Sequence, residues 1–195
     1  MATLTKPRII DAALAVIDEH GLDGLTMRAL ADHLEVTATA LYYHFAGRDE
    51  LLQAIVERQT AKLVKKIDLN GDWRDQVRTL ITGVVDELSQ HPDLAVWIIT
   101  TQARQASVLQ VHESLLGILV DAGFAPRAAI HAKGHLFRFL IGHLVLANAP
   151  EGKPWKRLPR RYAHLRSTGP AHDMIDRDEL FRDGLDTILR GLGSG

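Results

Sequence analysis

Two threonines, Thr26 and Thr37, stand at the heads of two apolar-striped segments, and only Glu35 and Val36 separate one segment from the next. Threonine is a strong N-cap because its hydroxyl oxygen accepts a bond from an N–H that the first helical turn leaves unpaired. After Thr26, Met27, Leu30, Ala31 and Leu34 recur at helical spacing. After Thr37, the run Ala38 to His44 gives a helix of about two turns. Helices joined so tightly must cross and brace each other, so the spacing predicts a helix-turn-helix. A longer helix precedes the pair. Thr5 caps it, Pro7 lies in its first turn, and Ile10, Ala13, Leu14 and Ile17 form one face. Gly21 can take the left-handed conformation that stops it, and Leu22-Asp23-Gly24-Leu25 reads as a tight loop.

The helical pattern continues past Gly47. Arg48 to Ile67 reads as one helix with Leu51, Leu52, Ile55, Val56 and Leu63 inward, and Asn70-Gly71-Asp72 marks a boundary. Further helices are predicted at 73–90, 93–105, 107–122 and 127–148. Residues 149–172 hold four of the seven prolines and read as a long loop with room for one short helix. A last helix, 176–192, carries Leu180, Phe181, Leu185, Ile188 and Leu192. Strand-like alternation is scarce. The expected fold is all-α, with an N-terminal three-helix helix-turn-helix domain (1–46), a connecting helix (47–67) and a larger helical domain (68–195), to which the resemblance described below assigns ligand binding and dimerisation. A chain of 195 residues with 46% hydrophobic and 24% charged residues can bury such a core.

Several function classes are disfavoured. Cysteine is absent, which excludes thiolate chemistry and disulfides and suits a reducing compartment. The N-terminus has no apolar signal-peptide core. The longest apolar run, Leu136 to Ala147, is too short to span a bilayer and carries Arg138 and His143. A cytoplasmic protein with no membrane role is expected. No glycine-rich phosphate loop, serine elbow or cysteine nucleophile is present, so neither an enzyme nor a cofactor is expected.

The net charge of −1 does not advertise a nucleic-acid binder, and the first 66 residues carry eight Lys and Arg against nine Asp and Glu. The DNA-binding expectation therefore rests on the motif. In the short third helix Ala40 and Leu41 can pack inward. Thr37, Ala38, Thr39, Tyr42, Tyr43 and His44 then offer methyls, hydroxyls, phenols and an imidazole to base edges and phosphates. Arg28 can donate two hydrogen bonds to a guanine or reach a phosphate. The same spacing also fits a plain three-helix packing unit with aromatics exposed at its end.

The run from Leu4 to Ile55 resembles the DNA-binding domain of TetR-family repressors. The Ala-rich first helix, Gly21, Gly24-Leu25-Thr26, Arg28, Leu30-Ala31, Leu34, Val36, Leu41-Tyr42, His44-Phe45 and Leu51-Leu52 carry the likeness over about 50 residues. Trp73-Arg74, His91-Pro92-Asp93-Leu94, Ala122-Gly123-Phe124 and Phe181 to Leu185 resemble, more weakly, the C-terminal domain of the tetracycline-repressor branch. The resemblance implies a repressor released from a palindromic double-stranded operator by a small-molecule effector. It implies DNA contacts from Thr37, Ala38, Thr39, Tyr42, Tyr43, His44 and Arg28, with Thr26, Lys6 and Arg48 on phosphates. It also implies a homodimer joined through 127–148 and 176–192, with Phe137, Ile141, Leu144, Val145, Phe181, Leu185, Ile188 and Leu192 at the interface. Two departures stand out. Glu35 occupies a turn position where the family has glycine, and a positive φ there would cost on the order of 1 kcal/mol. The family's drug- and magnesium-binding histidines match Val64 and, approximately, Ile98, which argues against tetracycline–magnesium as effector.

Trp97, Thr101, His112, Leu116, His135, Phe139 and His143 form a candidate ligand-cavity set, an apolar lining with polar handles. Each also suits simple core packing. His131 and His135, at i and i+4, have metal-sharing spacing; no cysteine or clear carboxylate completes the set, which leaves His112 or His143 as the candidates for a third ligand, and such a pair more often belongs to a pocket or interface, so no metal is expected. The basic loop Lys153 to Arg166, with Trp155 and Tyr162 interleaved, could touch nucleic acid, but such a run is more often a solvated connection. A ligand-independent or architectural DNA-binding dimer, or a dimeric small-molecule-binding protein, are the alternatives.

Overall fold

The computed structural model describes residues 3–66, 68–91, 94, 95, 97, 98, 106–147, 158–172 and 174–193; for 62–66, 147 and 172 it describes the backbone alone. Among these residues the secondary structure is helical: α1 Lys6–Gly24, α2 Met27–His33, α3 Ala38–Tyr42, α4 Arg48–Lys66, α5 Trp73–Ser89, α6 Ala106–Asp121, α7 Pro126–Ala147, α8 Ala163–His172 and α9 Arg177–Gly191.

The capping chemistry is realised. Thr5, Thr26 and Thr37 accept from the backbone N–H of Arg8, Ala29 and Ala40 at 3.5, 3.0 and 3.3 Å. Asp72 does the same for Arg74 and Asp75 at the start of α5. α1 breaks at Gly21, where φ is 71°, and one further turn carries it to Gly24. Residues 94, 95, 97 and 98 are helical, and the rest of the predicted 93–105 helix lies outside the described residues, as does Thr101. α8 occupies the end of the predicted loop.

Two apolar cores result. The first joins Ile9, Ala13 and Val16 of α1 to Leu30, Leu41, Phe45 and the Leu51, Leu52, Ile55 and Val56 stripe of α4. Leu94 and Val108 enter this core from the other side, with Trp97 and Ile98 packed against it. The second core gathers α5, α6, α7 and α9. Arg74 fastens the ends of that bundle, donating to the carbonyls of Leu189 and Leu192 at 3.2 and 3.5 Å.

Gly184 permits a close approach. A Cβ built there would lie 2.6 Å from Cζ of Phe139, and without it Phe139 stacks on Phe181 at 5.4 Å. Phe181, Leu185 and Leu144 are thereby buried inside one protomer, packed together with Leu189. The expectation that they form the dimer interface is corrected: helical periodicity marks an apolar stripe but not which partner covers it. Ile188 and Leu192 pack partly against the same core. The exposed apolar side chains on these helices are Ile130, Val145, Leu146 and Leu180.

Candidate nucleic-acid interface and ligand cavity

α3 is anchored by Leu41 and Phe45, which are 0% and 1% exposed, so its remaining residues must turn outward. Thr37 and Thr39 are exposed, and Ala38 and His44 half-buried. Tyr42 and Tyr43 are 53% and 89% exposed, large values for aromatic side chains. Tyr43 meets the His44 ring edge-on at 5.5 Å. The Lys6 ammonium sits 5.0 Å over the Phe45 ring, which brings the start of α1 beside the end of α3. Thr26 and Arg28 are exposed at the start of α2. The oxygen of Thr26 is engaged as a cap, but its hydroxyl proton remains a donor.

Arg48 has a different occupation from the expected phosphate contact. Its Nε donates to the Leu25 carbonyl and its Nη2 to the Leu22 carbonyl, both at 2.8 Å. These bonds tie the α1–α2 loop to the head of α4. The turn between α2 and α3 shows the anticipated strain: Glu35 has φ 56°, the one non-glycine residue at positive φ among the described residues.

A cavity of about 330 Å³ opens where α4, α5, α6 and α7 meet. Thr60 lines it from α4, Val84 and Leu88 from α5, and Val108, Val111 and His112 from α6. Phe137, Leu140 and Ile141 come from α7, and Ile98 closes it beside the N-terminal core. Of the residues expected to line a ligand site, His112 does so. Phe137 and Ile141, expected at the dimer interface, face this cavity instead. Trp97 packs against the N-terminal core and Leu116 against the C-terminal one. Phe139 and His143 lie against Phe181, and His135 is exposed. His131 is exposed too, and no group of three metal-ligating side chains converges among the described residues.

Burial, together with the charge of Lys133, holds the His112 imidazole below the ordinary histidine range. Burial does the same to His143, helped by Arg177 and opposed by Asp178.

Polar residues missed by the sequence reading join the cavity to α4. Thr60 is buried and bonds to the Ser107 hydroxyl at 2.7 Å. Ser107 donates its hydroxyl and its backbone N–H to Glu57 Oε2, at 2.8 and 3.1 Å. The available signal was Thr60 itself, a polar residue one turn beyond Val56 on an apolar stripe.

Residues 9–55 match the family model for bacterial regulatory proteins of the tetR family, and residues 68–194 match the tetracyclin repressor-like C-terminal domain. The chain belongs to the TetR family. It is 29% identical to the class A tetracycline repressor protein from transposon 1721 of Escherichia coli, over 98% of this chain and 92% of that one. The Streptomyces coelicolor TetR-family protein ActR, solved with actinorhodin, superposes with a TM-score of 0.79 at 25% identity over all of both chains. BioQ of Mycobacterium smegmatis, solved with its double-stranded DNA operator, superposes with a TM-score of 0.74 at 25% identity over 99% of this chain and all of that one. This TetR-family chain is a DNA-binding transcription regulator with a helix-turn-helix at α2–α3 and a helical ligand-binding domain. Regulators of this family act by binding DNA rather than by catalysis. No described helix is long and apolar enough to cross a membrane.

Proposed function

We propose that the chain is a homodimeric repressor that grips a palindromic operator with α3 of each protomer and lets go when a small molecule fills the α4–α7 cavity. The observation that carries this reading is the shared use of α4. Its first half belongs to the core that braces α3, and its Thr60 lines the cavity. An occupant therefore touches the helix that positions the DNA-binding unit. A ligand that binds better to a conformation with wrong half-site spacing shifts the population away from DNA. The operator-bound BioQ and actinorhodin-bound ActR support both halves of the reading.

In this reading Thr37, Ala38, Thr39, Tyr42, Tyr43 and His44 face the major groove, Arg28 reads a base or a phosphate, and Lys6 and Thr26 hold phosphates. Arg48 acts behind them as a brace. The protein works in the cytoplasm, where the operator is.

In vitro selection of duplex DNA bound by the full chain tests the DNA half. An enriched palindrome with half-sites about one helical turn apart supports it. Equally weak binding to every duplex sinks it. An enriched palindrome whose affinity no small molecule alters would make the protein a ligand-independent regulator.

A further inference from the structure

We propose that the cavity takes an uncharged, planar aromatic molecule carrying a hydroxyl group, and that His112 is the residue that selects it by accepting the hydroxyl proton. This rests on the reading of the cavity as the effector site and names the chemistry it selects.

No charged side chain lines the cavity among the described residues; its polar members are Thr60 and His112. A carboxylate or ammonium ligand would leave water without a counter-charge, which costs several kcal/mol. The volume lies at the lower end of the roughly 300–1,000 Å³ typical of small-molecule sites, which suits two or three fused rings. His112 stacks face to face on Phe137, with centroids 4.4 Å apart and planes 5° from parallel. The stacked pair makes one flat wall, and it commits a face of the imidazole to Phe137. Polar contact with an occupant is left to the ring edge. Neither ring nitrogen has a protein hydrogen-bond partner among the described residues. Burial keeps the ring neutral, so one nitrogen is an acceptor in need of a donor. A phenol-type hydroxyl, protonated at neutral pH, supplies it. Thr60, already bound to Ser107, keeps a lone pair for a second polar group.

The test uses the full-length protein with three probes of one shape: 2-naphthol, naphthalene and 2-naphthoate. Titration calorimetry at pH 7.5 should show 2-naphthol binding about tenfold tighter than naphthalene, the scale of one hydrogen bond in a dry site. 2-Naphthoate should bind at least tenfold more weakly than 2-naphthol. His112→Leu should keep naphthalene affinity and reduce the naphthol preference to within twofold. Tight naphthoate binding, or a naphthol preference that survives His112→Leu, overturns the proposal. Imidazole ¹⁵N resonances of the unmutated protein give a measurement independent of that variant's folding. His112 should shift with 2-naphthol and not with naphthalene, and no shift at saturating naphthol overturns the proposal. Operator affinity is read separately, by anisotropy of labelled DNA. Naphthol bound through His112 with unchanged operator affinity supports the ligand class while removing the regulatory reading.

Discussion

The hydroxyls of Thr60 and Ser107 lie 2.7 Å apart between α4 and α6, and Ser107 is held on its other side by Glu57. Each hydroxyl also has an acceptor on α4, the Glu57 carboxylate for Ser107 and the Val56 carbonyl for Thr60, so either oxygen can donate in the 2.7 Å contact. The chain of bonds runs from the cavity wall to two positions of the helix that supports the DNA-binding unit. Ser107→Ala leaves the half-buried Glu57 carboxylate with one fewer donor. It should destabilise the protein by about 1–3 kcal/mol in urea unfolding. Thr60→Val keeps the shape of the wall and removes the bond. It should leave operator affinity within about threefold but reduce ligand-driven release, whose full strength of tenfold to a hundredfold corresponds to about 1.4–2.7 kcal/mol of coupling. An undiminished release ratio in Thr60→Val would show that coupling bypasses this contact.

The turn between α2 and α3 stores strain at one residue. Glu35 holds φ 56°, where its Cβ crowds the following carbonyl. Glycine relieves that contact but adds freedom to the unfolded chain, and the two effects oppose each other. At a left-handed helix terminus the relief wins. Glu35→Gly should raise stability by about 0.5–1 kcal/mol, and the β-branched Glu35→Val should lower it by about 1–2 kcal/mol. The midpoint of urea unfolding measures both. A lower midpoint for Glu35→Gly would mean that the Glu35 side chain does something its exposed position does not reveal.

Leu185 and Leu180 sit on opposite sides of α9, the first 1% exposed and the second 60% exposed. A glutamate at 185 would place a charge among Phe181, Leu189 and α7, costing several kcal/mol. Leu185→Glu should therefore unfold the C-terminal domain, seen as a loss of cooperative thermal melting. Leu180→Glu and Leu146→Glu meet solvent in the single chain and should leave it folded. They should shift sedimentation toward monomer and weaken operator binding. Dimers that persist in both exposed variants would move the interface off this face of α7 and α9.

The contrast marks what a sequence can show. Caps at Thr5, Thr26 and Thr37, the stop at Gly21 and the conditional strain at Glu35 depend on neighbours within one turn, and all are legible. The stripe Phe181, Leu185 and Leu189 is legible as apolar, but burial within a chain and burial between chains leave the same pattern. The cavity is harder still. Thr60, Val84, Val108 and Leu140 come from four helices, and each alone reads as ordinary core. Arg48 was assigned to a phosphate by position within the family pattern, and its carbonyl partners, more than twenty residues away, leave no mark in the local sequence.

Arg28 is exposed at the start of α2, with no partner among the described residues. If it reads a guanine, Arg28→Ala should cost about 1–3 kcal/mol on the selected operator and relax preference at one position per half-site. If it holds a phosphate, affinity should fall evenly across sequences and the salt dependence should become shallower. Binding to a panel of single-base operator variants at two salt concentrations separates the two. An Arg28→Ala protein that binds every variant as the parent does would take Arg28 out of the interface.

Two histidines give the fold a direction in pH. His112 and His143 both have folded pKa values lowered chiefly by burial, below an unfolded value of about 6.5. Between the lowered value and 6.5 the unfolded chain binds more protons than the folded one, so stability rises with pH across that window. Above about pH 6.5 both rings are neutral in either state, and their full contribution is present. It is lost as pH falls through the unfolded value toward the folded one, because each proton taken up must enter a ring that burial keeps neutral. Thermal melting followed by circular dichroism should therefore show a falling Tm from pH 7.5 to 5.5. The double variant His112→Leu, His143→Leu isolates these two rings from the other eight histidines. Its Tm should fall less over the same interval. A Tm that falls equally in both proteins would assign the pH dependence to other groups.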